Sequence, residues 1–488
     1  MARRLILGID VGTTSVKAGL LDTNGAQVAA FSERYDTARS GDNVVEQDPR
    51  DWTRLIDAAI AQFVGAGFGP DIAAIGLTSQ VNTHVFVGAD GVPLMPAVVW
   101  QDTRAVAEAA ALDARVTADQ KIGWWGAPMP IDASHALSRM AWVARHRPEV
   151  WDATARVLLP KDYCIAHLTG DTSTDPLSAI GLVDSNLHYI PEVLALVPGA
   201  AERMAPLIPV TDSAGIARGL LKGRPVASGT MDAWAGLVGA GGAQEGSTVY
   251  LSGTSEILGI SSRTVVPTPG VIVFPQCAGI RLHAAPTQSG GDAAAWFAAL
   301  ARISLEQMSA MAARATTSPL FLPQLEGERA PLWDGDLRAA FLGVSRQTSQ
   351  ADLARAVFEG VSFSARHGLE ALQTSADTRS DTITCGGGGF RSDIWAQIRA
   401  DVLGTELHVL DAAEPGVLGA ATIAAISASD YADAADAQAA LARFGRRFAP
   451  DAKAHARYDD RFALYKDAIE GIAGLTARLS RIPLGERR

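Results

Sequence analysis

Residues 5–21 and 247–260 repeat one pattern: an apolar run, a turn of Gly and hydroxyl residues, and a second apolar run. In the first copy, Leu5-Ile6-Leu7-Gly8-Ile9 leads into Asp10-Val11-Gly12-Thr13-Thr14-Ser15 and leaves through Val16 to Leu21. In the second, Ser247 to Leu251 leads into Ser252-Gly253-Thr254-Ser255 and leaves through Ile257 to Ile260. Short apolar runs bounded by turn residues read as buried strands. Around the first copy, Asp22-Thr23-Asn24-Gly25 marks a hairpin turn and Gln27 to Phe31 a third strand. Asp48-Pro49 then opens a helix whose apolar face is Trp52, Leu55, Ile56, Ile60 and Phe63. Ile72 to Leu77 and Val85 to Val87 read as further strands. The order β-β-β-α-β predicts a mixed sheet covered by helices. The second half adds a helix over about 352–372, the strand Thr382-Ile383-Thr384 and an ordinary packed helical region over 424–442. The chain thus reads as two related α/β halves, 1–244 and 245–488.

Composition narrows the function classes. The 488 residues suit two to four domains, and 48% hydrophobic with 19% charged residues is globular composition. A net charge of -11 with no basic run argues against nucleic acid as a partner, while leaving room for a nucleotide. Cys164, Cys277 and Cys385 are far apart and match neither a disulfide framework nor a zinc site. No stretch reads as a signal peptide or a membrane span, so a soluble cytoplasmic protein is expected.

Four motifs carry chemistry. Asp10-x-Gly12-Thr13-Thr14 offers backbone N–H groups and hydroxyls suited to phosphate oxygens, with Asp10 placed to hold Mg²⁺; an ordinary hairpin turn is the alternative. Gly253-Thr254-Ser255 is its counterpart, and neither is a P-loop. Gly386 to Gly389 follows a strand and lets backbone approach a flat ligand, which suits adenosine; a flexible turn is the alternative. Gly229-Thr230-Met231-Asp232 ends on an Asp that is either a helix N-cap or a general base.

With these residues in view, the chain resembles the FGGY family of carbohydrate kinases from about residue 5 to about 430. The most specific match is Ala339-x-Phe341-x-Gly343-Val344, then seven residues, then Asp352-Leu353-x-x-Ala356-Val357-Phe358-Glu359. Glu326-Gly327-Glu328-Arg329-Ala330-Pro331 and Glu414 to Ala421 resemble two further elements of the family. The resemblance implies two ribonuclease H-like domains of the actin-type ATPase class with a deep interdomain cleft. It implies the sugar mainly on 1–244 and ATP mainly on 245–488. By the same resemblance, Asp232 is the general base and Asp10 sits near Mg²⁺ and the transferred phosphoryl group. Gly12, Thr13 and Thr14 form one phosphate loop, Gly253 and Thr254 another, and Gly387 and Gly388 line adenosine. Gln80, Val81, Asn82, Trp100 and Asp102 fall on the substrate side, with a structural Asp102–Arg104 ion pair as the alternative. Lys161 and Asp162 match a recurrent pre-helical element read as structural.

The expected activity is transfer of the ATP γ-phosphate to a hydroxyl of a small sugar, a pentulose such as xylulose or ribulose. A homodimer is compatible with this reading, and neither nucleic acid nor membrane is an expected partner. The acceptor stretch departs from the family's usual codes. Members acting on xylulose carry Met-His, and those acting on glycerol Arg-Glu, where this chain has Val81-Asn82. Ala233 replaces the Asn often found after the base, and Arg139 and Ala136 depart from a second family signature. A tetritol, glycerol-like or hexulose kinase, an actin-like ATPase and a non-catalytic sugar sensor therefore stand as alternatives.

Overall fold

The computed structural model describes residues 4–41, 43–126, 128–412 and 414–480. The chain forms two compact units: Met1–Gly239 with Pro275–Gly279 and Gly416–Leu441, and Ala240–Phe274 with Ile280–Pro415 and Ala442–Arg488. The division is therefore not one cut near 244/245.

The first unit is built on a seven-stranded mixed sheet. Leu5–Val11 pairs antiparallel with Ser15–Asp22, which pairs antiparallel with Gln27–Arg34. The turn into the third strand forms where expected: Asp22 accepts from the N–H groups of Asn24 and Ala26, both at 2.9 Å, and Gly25 has φ +78°. On its other side Leu5–Val11 runs parallel to Ile72–Ser79, which also runs parallel to Pro225–Ala227 and Thr230–Met231. The helix Pro49–Gly65, capped by Asp48, buries the face read from the sequence against this sheet. Val85–Val87 is a strand, but it pairs with Arg156–Leu158 in a separate ribbon instead of joining the main sheet.

The helix Pro415–Ser427 explains why late residues join the first unit. A Cβ on Gly8 would lie 2.1 Å from Val417 O, and one on Gly76 2.0 Å from Ala420 O. A Cβ on Gly419 would lie 2.0 Å from Ala235 O. The sheet has Gly where the helix backbone lies against it, so helix and sheet meet closer than side chains allow.

The second unit repeats the local plan. Thr248–Ser252 pairs antiparallel with Glu256–Ser261 and parallel with Thr382–Gly386, within a second seven-stranded sheet. The long helix is Gln350–Ala376, opened by a capping box between Ser349 and Asp352. The family-like segment 339–359 is scaffold in this unit. Ala340–Leu342 pairs with Leu320–Leu322, and buried Glu359 accepts from Ser318 Oγ at 2.7 Å and Tyr458 Oη at 2.9 Å.

Candidate active site

In the first unit, the sheet register brings the candidate residues to one end. Asp10 and Thr230 both pair with Thr78, and Val11 and Met231 both pair with Ser79. Asp10 and Asp232 therefore emerge at the carboxyl ends of parallel strands two positions apart. Strand spacings of about 4.8 Å and rises of about 3.3 Å put their Cα atoms about 12 Å apart. Ligand sites of open α/β sheets lie at such strand ends.

The turn after Asp10 is held through its carbonyls. Gly12 O accepts from the Tyr35 hydroxyl, Thr13 O from Gln47 Nε2 at 2.8 Å, and Thr14 O from Tyr35 N at 3.4 Å. Trp100 Nε1 donates to Thr13 Oγ1 at 3.0 Å. Gly12 N closes the turn onto Ser15 O at 3.1 Å, and with the three carbonyls engaged by the protein the turn presents the N–H and hydroxyl groups of Thr13 and Thr14 to a ligand, the polarity a phosphate needs. Gly416, at the start of the late helix, has Asp10 Oδ2 2.8 Å from where its Cβ would stand.

Asp232 is the first residue of the helix Asp232–Leu237, with Met231 in the capping position. Its Oδ1 accepts from Ala233 N at 2.7 Å. The residue is half-buried and crowded by surrounding atoms. Burial pushes its carboxyl up to about 6, against the lowering effect of the Ala233 N–H. A carboxylate tuned toward neutrality is suited to accept a proton.

The residues expected on the acceptor side divide by how fully the protein uses them. Gln80 Nε2 donates to Gln47 Oε1 at 2.8 Å, which ties the acceptor stretch to the Gly12–Thr14 turn. Asn82 has φ +52°, and its Nδ2 donates to Ser134 Oγ at 3.3 Å; Val81 lies between these two residues and is half-buried. Asp102 is buried and accepts from Val45 N at 2.7 Å and bidentately from Arg104, whose guanidinium also meets Glu46 at 2.8 Å. Both Asp102 oxygens are thus occupied in a structural ion pair. Arg139 bridges the two acceptor-side segments from below: it donates to the carbonyls of Asn82, Val98 at 2.9 Å and Val99 at 2.6 Å. Burial pushes its guanidinium down to about 10. The sequence marked Arg139 as unusual without showing that its role is to hold backbone.

In the second unit, the counterpart turn follows the same rule. Gly253 O accepts from Gly291 N at 2.9 Å, Thr254 O from Asp292 N at 3.1 Å, and Ser255 O from Gly253 N at 2.9 Å. A Cβ on Gly291 would lie 2.5 Å from Gly253 O, so this approach requires Gly. Glu328, in the second family-like segment, accepts from Gln288 N at 2.6 Å and so anchors the strand end leading to Gly290 and Gly291.

Beside this turn lies the glycine run, because Leu251 pairs with Gly386 on parallel strands. Gly387 has φ +94°, and a Cβ there would lie 2.4 Å from Ser252 O; Gly388 faces open space. Beneath both segments is Arg399, fully buried, donating to Gly389 O and Ser252 Oγ, each at 2.8 Å, and to Glu256. Its guanidinium centre stands 4.0 Å from the Trp395 ring centroid and 4.4 Å from that of Phe390. Arg399 and Glu256 were not singled out in the sequence; only the helical register of Trp395 and Arg399 hinted at a shared inward face.

Comparison with known proteins agrees with this arrangement. The FGGY family of carbohydrate kinases, N-terminal domain, matches residues 5–239, and its C-terminal domain matches 249–428. The xylulose kinase of Escherichia coli K12 is 29% identical over 97% of this chain and 100% of its own length. That of Klebsiella pneumoniae is 30% identical over 87% of this chain and 90% of its own. The crystal structure of xylulose kinase from Rhodospirillum rubrum superposes with TM-score 0.85 and 25% identity, covering 97% of this chain and 100% of that one. The chain belongs to the FGGY family of carbohydrate kinases, and is an ATP-dependent phosphotransferase with a sugar as acceptor.

Proposed function

We propose that the chain phosphorylates a pentulose, with xylulose the first candidate and ribulose the second. The observation that carries this reading is the full-length similarity to xylulose kinases, joined to a half-buried Asp232 at the strand ends. Asp232 accepts the proton of the acceptor hydroxyl as that oxygen attacks the γ-phosphorus, and ADP leaves. Gln80, Val81, Asn82 and Trp100 border the acceptor. Asp102 and Arg139 hold those segments in place, since both Asp102 oxygens and both terminal Arg139 nitrogens are already engaged with protein. The N–H and hydroxyl donors of Thr13, Thr14 and Thr254 bind phosphate oxygens, and Gly12 and Gly253, whose own N–H groups close the two turns onto Ser15 O and Ser255 O, shape the loops that present them. Gly387 and Gly388 give adenosine a surface without side chains.

Asp10 fits a Mg²⁺ role. Among the described residues no cluster of three or more His, Cys, Asp or Glu is arranged to hold a metal. Mg²⁺ needs no such cage, because it is commonly held by one or two carboxylates together with substrate phosphates and water. Bound there, it supplies charge neutralisation at the phosphates. Among the described residues no helix is long and apolar enough to cross a membrane.

One observation favours a different acceptor: the stretch read as acceptor-side carries Val81-Asn82 in place of the Met-His of members acting on xylulose. A tetritol or hexulose is the second reading. The test is a panel of ketoses, aldonates and polyols with Mg·ATP, with each phosphorylated product identified by mass. The expected result is the highest kcat/KM on xylulose or ribulose. A tetritol or hexulose favoured by tenfold or more overturns the pentulose assignment.

A further inference from the structure

The mechanism leaves one buried charge cluster unused. Lys161 is fully buried, with its ammonium 2.5 Å from Asp162 Oδ1 and 2.9 Å from Asp175 Oδ2. Asp175 is also fully buried, and its Oδ1 accepts from Thr230 Oγ1 at 2.7 Å and Ser178 N at 3.0 Å. Thr230 stands two residues before Asp232. Its carbonyl accepts from Thr78 Oγ1 at 2.6 Å, and Lys161 N donates to Ser79 Oγ at 3.2 Å. Gly229, just before it, has φ +65°, and a Cβ there would lie 1.8 Å from Leu77 O. The segment leading to Asp232 is therefore bonded to and packed closely on the strand Ile72–Ser79, which also sets the register of Asp10, and the Lys161 helix start is bonded to the same strand.

The cluster is poorly placed as a source of stability. Lys161 lies in the first turn of the helix Pro160–Thr169, where the helix dipole disfavours a cation. Buried ion clusters are often no more stabilising than apolar side chains of similar volume. They do restrict geometry: one Asp175 oxygen meets the Lys161 ammonium and the other the Thr230 hydroxyl. A cavity of about 20 Å³ lined by Asn82, His84, Asp162, Thr174 and Ser178 borders the cluster, so the same elements reach the acceptor-side stretch.

We propose that Lys161, Asp162 and Asp175 form a positioning network that acts through the Thr230 hydroxyl to fix Asp232 against the acceptor hydroxyl. The proposal rests on the reading of Asp232 as the base. The network touches neither substrate, so its loss lowers the rate of the chemical step while leaving nucleotide affinity intact. Misplacement of a reacting group by about 1 Å can lower a rate about a hundredfold.

The test compares Thr230→Val, Thr230→Ser and Asp232→Asn in the full chain, with xylulose and ribulose as acceptors. Thr230→Val keeps the shape and removes the hydroxyl; Thr230→Ser keeps the hydroxyl. The expected result is a fall in kcat of about ten- to a hundredfold for Thr230→Val. Its KM for Mg·ATP should be unchanged and its melting temperature within a few degrees, and Thr230→Ser should restore most of the rate. A near-normal kcat for Thr230→Val, or equal losses for Val and Ser, overturns the inference. If Asp232→Asn is inactive in that case, the base assignment survives and the network alone fails. Full activity in Asp232→Asn overturns both.

Discussion

Asp232→Asn is expected to lower acceptor-dependent kcat by about 10²- to 10⁴-fold, the range over which a positioned general base acts. Asn keeps the size of the side chain and can still accept from Ala233 N, so the helix start is preserved while the proton acceptor is lost. The pH profile follows from the same group. Only the ionised carboxylate can accept a proton, and burial holds this carboxyl near 6 instead of the usual 3.8. The rate should therefore fall about tenfold per unit below pH 6 and level off above it. Stability has the opposite sign. A carboxyl whose pKa is higher in the folded state loses stabilisation as pH rises through the folded value. Asp232→Asn removes that loss, so the variant should melt no lower than the parent at pH 8. Together these results separate a lost base from a lost fold. An unchanged kcat in a folded Asp232→Asn protein would remove Asp232 from the reaction.

Glu256→Gln is expected to give the largest loss of stability, about 3–5 kcal/mol, because it leaves a fully buried guanidinium without its counter-charge. Glu256 accepts from Arg399, from Tyr250 Oη at 2.5 Å and from Ser252 Oγ at 2.7 Å. One carboxylate thus ties the strand before the Gly253 turn to the helix behind the glycine run. Gln can replace some of these contacts, with the Tyr250 hydroxyl turning to accept from its amide, but it carries no charge. Thermal and urea unfolding should show the loss. Because Arg399 also holds Gly389 O, Mg·ATP should bind more weakly in whatever fraction folds. A melting temperature within a degree or two of the parent would mean that the cation–π contacts suffice to hold Arg399.

Much of the fold was legible because its signals are local. Turn residues around Gly12, Gly25 and Gly253 lie between apolar runs, and Asp48-Pro49 opens a periodic helix; both patterns survive in a single sequence. The end of the sheet on which Asp10 and Asp232 emerge required the pairing of three strands from residues 5 to 231. The helix Pro415–Ser427 overlaps only the start of the helical region read over 424–442, and its place on the first sheet depends on Gly8 and Gly76, distant glycines with no local pattern. Val85–Val87 was read correctly as a strand, but its partner Arg156–Leu158 could not be read, since pairing partners are not encoded by the run itself. The charged residues were least legible. Arg399 and Asp175 look like ordinary surface residues, and Arg139 only like a departure from a family signature, until burial shows each holding backbone or hydroxyl groups at the edge of a candidate site.

Acceptor dependence is the most direct test of the central claim. ADP and phosphorylated sugar should be quantified together for the purified full chain with Mg·ATP, with and without excess xylulose. The account predicts little ADP without acceptor, a large rise with it, and one phosphorylated sugar per ADP. Equal ADP release with and without any acceptor, and no phosphorylated product, would contradict a sugar kinase and favour an ATPase.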